Sequence, residues 1–233
     1  MSTYLQLCQA VARDSGTISS LTDPATVLNQ TGRLLRIVNW VNDAWNEIQT
    51  EREDWRWMFG TFSGSTIANT ANYTSATLGI AERFRQWRGL YEHTDEQWTC
   101  YKTSEGQSKE YGLRYVPYER FYPAYLTGTH DPGYPQHFTV APDDSIYLGP
   151  TPDDVYTVRG HYQKSPQVLS ADGDIPELPG LFHDVIKWKA LILLGIFDEA
   201  FNQIPGWERK YDKLFSQLAN EQVPRFEMPG PLA

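Results

Sequence analysis

Two adjacent pairs of aspartates, Asp143-Asp144 and Asp153-Asp154, are the residues of this 233-residue sequence whose type and spacing best suit chemistry. Two carboxyl groups that flank the glycosidic bond to be cleaved form the catalytic pair of most glycoside hydrolases. Here each pair lies between two stretches rich in aromatic and β-branched residues, and aspartate is a common turn residue. We therefore interpret both pairs as solvated turns. If they were instead catalytic or binding groups, the protein would be a carbohydrate-binding or glycan-hydrolysing module, and we keep this as the alternative function.

Other motifs that could carry chemistry are weaker. The segment ADGDIPE resembles a calcium loop through Asp172 and Asp174, but it lacks the later ligands and the closing bidentate glutamate, so we interpret it as a turn. The five histidines show no ligand spacing, and His161 fits a strand position. Nucleophile-elbow, phosphate-loop, dinucleotide and zinc-protease motifs do not occur in the sequence. The sequence predicts a protein that is not an enzyme and uses no catalytic residue, metal or cofactor.

The charge of the chain limits its partners. The formal net charge is −9, whereas a protein that binds nucleic acid on its own normally carries a basic face. The basic cluster ERFRQWR at 82–88 is small, and residues 131–180 are acidic. Two cysteines cannot form a disulfide framework and suit a reducing cytoplasm. No signal peptide opens the chain, and its most apolar run, ALILLGIF, is too short to cross a bilayer, so we expect no membrane partner.

The first 56 residues predict two helices, over residues 3–13 and from Thr31 onward. Four of the eight tryptophans lie between residues 40 and 57. The second helix carries one apolar stripe at helical spacing, formed by Leu34, Val38, Val41, Trp45 and Ile48. A second, weaker apolar line contains Ile37, Trp40 and Ala44. Two lines predict two packing partners, one of which we expect to be a neighbouring protein.

Residues 57–165 follow a different pattern, with strands predicted at RGLYEH, QWTCYK, HFTVAP, SIYLGP and VYTVRGHYQK. HFTVAPDDSIYLGP predicts a hairpin, and VPYERFYPAYLTG predicts a short helix on the sheet. Helices return at LFHDVIKWKALILLGIFDEAFNQ and from Pro205. The predicted fold class is α+β, in which the N- and C-terminal segments form a helical bundle with a β-rich insertion between them. The expected division is 1–56, 57–165, 166–222 and an extended tail, 223–233.

The order of these segments resembles the adaptor proteins in the head–tail connector of tailed bacteriophages. The resemblance rests on TYLQLCQAVARDSG, TGRLLRIVNWVNDAWNEIQTEREDWRWM, FTVAPDDSIYLGPTPDDVYTVRGHYQKSP and DIPELPGLFHDVIKWKALILLG. It covers most of residues 3–220 and is loose across 63–130. It implies a dodecameric ring, a homo-oligomer at the head–tail junction of the virion that is assembled in the host cytoplasm. The helical part would dock under the portal protein and the β part would face outward or toward a tail or nozzle protein, while genomic DNA passes through the lumen without specific binding.

The predicted protein interface follows from the second apolar line of the tryptophan-rich helix and from the resemblance to phage adaptors. A ring subunit needs two unlike faces, because its contacts are head-to-tail. The resemblance further implies that the C-terminal region, VPRFEMPGPLA, engages the portal. The predicted interface residues are Ile37, Trp40, Arg225, Phe226, Met228 and Leu232. The alternative is a carbohydrate-binding or glycan-hydrolysing phage tail module, which the aromatic content and the aspartate pairs would suit.

Overall fold

The computed structural model describes residues 1–16, 24–89 and 96–222, and its backbone forms two compact units. Residues 1–57 and those from 166 onward form the first, here called the terminal unit, and residues 58–165 form the second, the sheet unit. The helices are α1 (Tyr4–Asp14), α2 (Gly32–Glu51), α3 (Tyr118–Phe121, continued by a π-helical turn, Tyr122–Leu126), α4 (Asp184–Phe197) and α5 (Ile204–Gln222). Both ends of the chain therefore contribute to one unit.

The terminal unit is built from α1, α2, α4 and α5, with α4 packed against the other three. Helix α1 begins at a capping box, in which Gln6 N–H donates to the Thr3 hydroxyl and Thr3 N–H donates to the Gln6 amide oxygen. Gly195 of α4 touches Trp207 of α5 so closely that an added Cβ would lie 2.7 Å from the indole. A side chain at this position would force the two helices apart.

Tryptophans form the centre of this unit. Trp45 and Trp55 are fully buried. Trp57 stacks on both, with ring centroids 4.4 Å from Trp55 and 6.3 Å from Trp45. The indole N–H of Trp55 donates to the carbonyl of Ile48 at 2.8 Å. The tryptophan-rich stretch therefore serves mainly to build a core inside the chain.

The polar side of α2 also has intramolecular partners. The amide of Asn42 accepts from the N–H of Leu169 at 3.1 Å and donates to its carbonyl at 2.9 Å. The amide of Gln49 pairs in the same way with Gln167, at 2.7 and 3.0 Å. Two side-chain amides thus bind the extended backbone after residue 166 as a neighbouring strand would.

One eight-stranded sheet forms the other unit. Its strands are β1 (Phe59–Ser65), β2 (Asn72–Tyr73), β3 (Phe84–Arg88), β4 (Glu96–Lys102), β5 (Tyr111–Tyr115), β6 (His137–Val140), β7 (Ile146–Gly149) and β8 (Tyr156–Lys164). The order is β1-β8-β4-β5-β6-β7-β2, and β3 also pairs with β8. Strands β5 and β6 are parallel, and the other pairs between these strands are antiparallel.

The sheet has a core of its own, made largely of aromatic rings. Trp98 stacks on Phe138 with centroids 4.3 Å apart, and Phe62 and Trp87 meet it edge-on. Gly160 in β8 makes this possible, since an added Cβ there would lie 2.7 Å from the Trp98 ring. The core is therefore complete within the sheet unit.

The predicted fold class is wrong. The structure is a β-rich half-barrel sheet with a few helices, not a helical bundle that carries an insertion. The periodicity of the terminal helices is strong in the sequence, whereas β1, β2 and β5 have no clear alternation; these three strands and β3 were not predicted. The strand predicted at QWTCYK is β4 and is confirmed. The hairpin at Asp143-Asp144, the short helix α3 and strands β6, β7 and β8 are confirmed. Of the predicted strand RGLYEH, residues 90–93 lie outside the described residues.

Candidate assembly surface

The aspartate pairs shape turns, as the sequence predicts. The Asp143 carboxylate accepts hydrogen bonds from the N–H and the hydroxyl of Ser145, and these bonds lower its pKa. Asp154 forms an ion pair with Lys102 at 2.8 Å, and this contact lowers the pKa of the Asp154 carboxyl. Asp153 accepts a 2.6 Å hydrogen bond from a tyrosine hydroxyl. These carboxylates are held by their own turns and strands, so their geometry is that of structural residues.

The segment ADGDIPE is likewise a turn. Asp172 accepts from the N–H of Val27 at 2.6 Å, and Asp174 accepts from the N–H groups of Ser170 and Ala171. The bonds from the backbone lower the pKa of the Asp174 carboxyl. Across residues 1–16, 24–89 and 96–222, no three His, Cys, Asp or Glu side chains are grouped to hold a metal ion.

The candidate nucleophiles and bases are embedded in the packing. Burial raises the pKa of the Cys8 thiol to about 12 and that of Cys100 to about 11, so both thiols are protonated at neutral pH. Burial lowers the pKa of His161. The buried ring of His183 accepts from the N–H of Ser2 at 2.9 Å and lies 3.2 Å from the carbonyl of Leu178. These groups stabilise the fold locally.

An open cleft of about 370 Å³ lies on the sheet unit. Thr61, Ser63, Thr99, Glu110, Arg159 and His161 contribute its polar lining. The Thr99 hydroxyl donates to Glu110 and is the largest cause of that carboxyl's lowered pKa, and Arg159 pairs with Glu110 at 3.2 Å. The charge of the lone acid in this lining is thus compensated, and the cleft offers no second carboxyl group for glycoside hydrolysis.

The surface best suited to a functional role lies at the C-terminal end of α4. Ile196, Phe197 and Phe201 are each between 53% and 63% exposed. Trp40 of α2 lies beside Phe197, with the two ring centroids 5.3 Å apart. We call these four residues the C-terminal patch. Large apolar side chains grouped on a surface commonly mark a protein-binding site.

Charged residues surround this patch. The Arg36 guanidinium lies 4.4 Å above the Phe197 ring. Arg33 of α2 forms an ion pair with Asp198, which follows α4, and this pairing lowers the pKa of the Asp198 carboxyl. Aromatic residues and arginine are both enriched at protein interfaces relative to the rest of the surface.

The predicted interface residues differ in their surroundings in the structure. Trp40 is half-buried and belongs to the C-terminal patch. Ile37 is 1% exposed, so its side chain is a core residue of the chain itself. The other four, Arg225, Phe226, Met228 and Leu232, lie outside the described residues.

Sequence reasoning missed Phe197 and Phe201. The middle of the segment LFHDVIKWKALILLGIFDEAFNQ is largely buried, and Val185, Ile186 and Leu191 have no exposed surface. Its end is exposed, and the signal is the polar context of the two phenylalanines, since Asp198, Glu199 and Asn202 are exposed around them. Aromatic residues between exposed polar residues are typical of an interface rather than of a core.

Within the described ranges, no helix combines the length and the apolar character that crossing a membrane requires.

Comparison with known proteins gives the family. No curated protein matches the sequence. The model of the SU10 adaptor protein family matches residues 2–232, nearly the whole chain. This protein therefore belongs to the SU10 adaptor protein family, a family of phage head–tail adaptors.

Proposed function

We propose that this protein is the structural adaptor at the head–tail junction of the virion, where copies form a ring between the portal and the tail. Family membership supports the role of a phage adaptor in general. The observation that carries the proposal is the C-terminal patch, in which large apolar side chains are exposed beside a well-packed core. A subunit that closes a ring must keep such a surface available until it meets its neighbours.

The adaptor acts by contact and not by catalysis. The aspartates that could have formed a catalytic pair are bound by Ser145, Lys102 and a tyrosine hydroxyl in their own turns. The cleft on the sheet pairs its acid with Arg159. These assignments favour a structural protein over a glycan-hydrolysing module.

The acidic character of the chain suits a channel for DNA. With a formal net charge of −9, a ring of many copies carries a large negative charge. Acidic groups at the lumen repel the phosphate backbone, so genomic DNA passes without being held. A dodecamer is the ring size that we propose, with the portal on one side and a tail or nozzle protein on the other.

Native mass measurement of the full chain, alone and with the portal of the same phage, tests this function. We expect a monomer in isolation at micromolar concentration and a closed ring on the portal, because the portal raises the local concentration of subunits and adds avidity. A chain that binds no portal would overturn the proposal. A stable ring formed without the portal would remove the templating step and leave the adaptor role in place.

A further inference from the structure

Strand β1 lies at an edge of the sheet and pairs with β8 alone. In an antiparallel pair, the backbone N–H and C=O groups of alternate residues point toward the neighbouring strand, and those of the residues between them point away. The N–H of Thr66 donates to the carbonyl of Tyr156 at 2.8 Å, whereas the carbonyl of Val155 accepts from the N–H of Thr103, next to β4, at 3.0 Å. These bonds fix which residues of β1 face β8.

Alternate residues of β1 therefore have an unpaired backbone. Counted back from Thr66, every second residue faces β8 in this register. The residues between them, whose backbone groups point outward, are Phe59, Thr61, Ser63 and Ser65. Within the described part of the chain, no N–H or C=O group of these four residues has a hydrogen-bond partner. Gly79 approaches one end of this edge, since an added Cβ there would lie 4.0 Å from the Ser63 carbonyl oxygen. The open edge thus covers residues 59–63.

The other open edges of the sheet are protected against pairing, and β1 is not. Among the described strands, β2 and β3 also pair on one side only. Strand β2 has only two residues, and β3 contains a register shift after Phe84 and carries Arg85 and Arg88. Short length, bulges and charged side chains are the usual means of keeping a sheet edge from pairing. Strand β1 has seven residues, FGTFSGS, without charge, proline or register shift.

The geometry of this edge determines the chemistry of its partner. Its unpaired groups repeat at every second residue, about 6.7 Å apart along the strand. Each repeat offers one donor and one acceptor, and the backbone of a second extended chain offers their complement at the same spacing. Proteins that bind by adding a strand to a sheet edge gain affinity from this match and specificity from the side chains. The edge therefore fits an extended peptide segment that has no proline where it pairs.

The two faces beside the edge differ in polarity. On one face, the hydroxyl groups of Thr61 and Ser63 are exposed and have no hydrogen-bond partner among the described residues. On the other face, Phe62 belongs to the aromatic core, and an added Cβ at Gly60 would lie 2.4 Å from the Tyr162 ring. A segment that fits both faces alternates polar and apolar residues.

We infer that β1 pairs with an extended segment of the tail or nozzle protein that the adaptor joins to the head. This inference rests on the proposed function, in which the C-terminal segment meets the portal and the C-terminal patch meets neighbouring subunits, so that the sheet unit is available to the tail. A second copy of the chain is not the occupant. Two β1 edges that pair with each other use the same surface on both copies and close as a dimer, whereas ring contacts are head-to-tail.

A proline variant of the full chain tests the pairing. Thr61→Pro removes an outward N–H and places a ring at the open edge, while the bonds from β1 to β8 remain, since proline is tolerated on the open side of edge strands. We expect the tail or nozzle protein of the same phage to bind adaptor-loaded portal particles about tenfold more weakly. Thr61→Val is the matched control, because it keeps the N–H and the side-chain size, and its affinity should stay within about threefold. Thermal melting confirms that both variants are folded.

Amide hydrogen exchange of the unmodified chain tests the same pairing without a variant. In the free chain, the N–H groups of Phe59, Thr61 and Ser63 should exchange fast, whereas those of Gly60 and Phe62, which bond to β8, should exchange slowly. Adding the tail or nozzle protein should slow the first group. Such alternation is specific to strand addition, since a partner that only covered the surface would not select every second residue.

The outcomes separate this inference from the adaptor function. A dimer of the isolated chain with slow exchange at Thr61 would assign the edge to a second copy, and slow exchange on portal binding alone would assign it to the portal. Either result overturns the inference, as does unchanged exchange at Thr61 with the tail or nozzle protein bound. If Thr61→Pro does not fold, the exchange measurement decides alone. The adaptor function itself fails only if the unmodified chain joins neither the portal nor the tail.

Discussion

Trp40 and Trp45 lie five residues apart on α2 and have different surroundings. Trp45 is fully buried and stacks with Trp57, whereas Trp40 is half-buried beside the exposed ring of Phe197. The indole N–H of Trp45 has no hydrogen-bond acceptor within the described part of the chain. Its contribution is therefore one of packing and not of hydrogen bonding.

At the residue scale, we expect Trp45→Ala to lower the free energy of unfolding by about 3–5 kcal/mol, the usual cost of removing a buried tryptophan. Trp45→Phe should cost less, because it keeps a ring and deletes an N–H that has no acceptor. Trp40→Ala is the comparison, and it should leave the monomer folded while it weakens ring formation. Urea unfolding of the three variants measures this, and equal losses for Trp45→Ala and Trp40→Ala would contradict it.

The apolar stripe of α2 could be predicted because it depends on local spacing alone. Of the five residues of the stripe, Val38, Val41, Trp45 and Ile48 are buried as the periodicity indicates, and Leu34 is half-buried. Spacing did not predict which element covers the second apolar line of α2, the line that contains Ile37. Ile37 is buried although it lies off the stripe, since α2 packs against both α1 and α4. Spacing shows that a face is apolar, and only the three-dimensional packing shows what covers it.

At the scale of elements, α2 and the backbone after residue 166 are joined by side-chain amides. Gln49 is fully buried and binds both the N–H and the carbonyl of Gln167. Asn42 does the same for Leu169. These contacts join segments more than one hundred residues apart in sequence, and they explain part of the polar composition of α2.

We expect Gln49→Leu to lower the free energy of unfolding by about 1–3 kcal/mol, since it leaves backbone groups of Gln167 without partners. Asn46→Ala is the matched control, because Asn46 lies on the exposed side of the same helix, and its effect should stay within about 0.5 kcal/mol. Urea unfolding gives the free energies, and amide hydrogen exchange should become faster at Gln167. Unchanged exchange there would show that the Gln49 amide does not hold this segment.

The sheet was predicted only in part because its pairings are distant in sequence. Strand β1 pairs with β8 along its whole length, across about one hundred residues. Its sequence, FGTFSGS, contains Gly64, which lies against the backbone of Leu78 so closely that an added Cβ would be 2.7 Å away. Glycines at close contacts hide the alternation by which a strand is recognised. The hairpin of β6 and β7 was found because its turn residues are local.

At the scale of the whole molecule, the C-terminal segment stays a prediction. Helix α5 ends at Gln222, whose amide oxygen accepts from the N–H of Arg56 at 3.2 Å. We expect deletion of residues 223–233 to leave the melting temperature nearly unchanged, because the segment has too few apolar residues to add a core. The same deletion should weaken portal binding. Calorimetry and portal pull-down measure the two effects.

Gln222→Ala is the control for this truncation. It removes a buried contact inside the terminal unit and keeps the segment, so it should lower the melting temperature and spare portal binding. If the truncated chain joins portal particles as well as the full chain does, then residues 223–233 do not dock the portal, and the helices must do so.

The terminal unit is built from two separate parts of the chain, so its helices are synthesised at different times. The ribosome delivers α1 and α2 first, then the complete sheet unit, and α4 and α5 last. Domains generally fold as units as they emerge, so the sheet unit can fold while the chain is still being made. Until α4 has been synthesised, the apolar face of α2 and its two tryptophans remain exposed to solvent. Nascent chains halted before residue 184 should therefore bind chaperones through α2, and those that have released α5 should not.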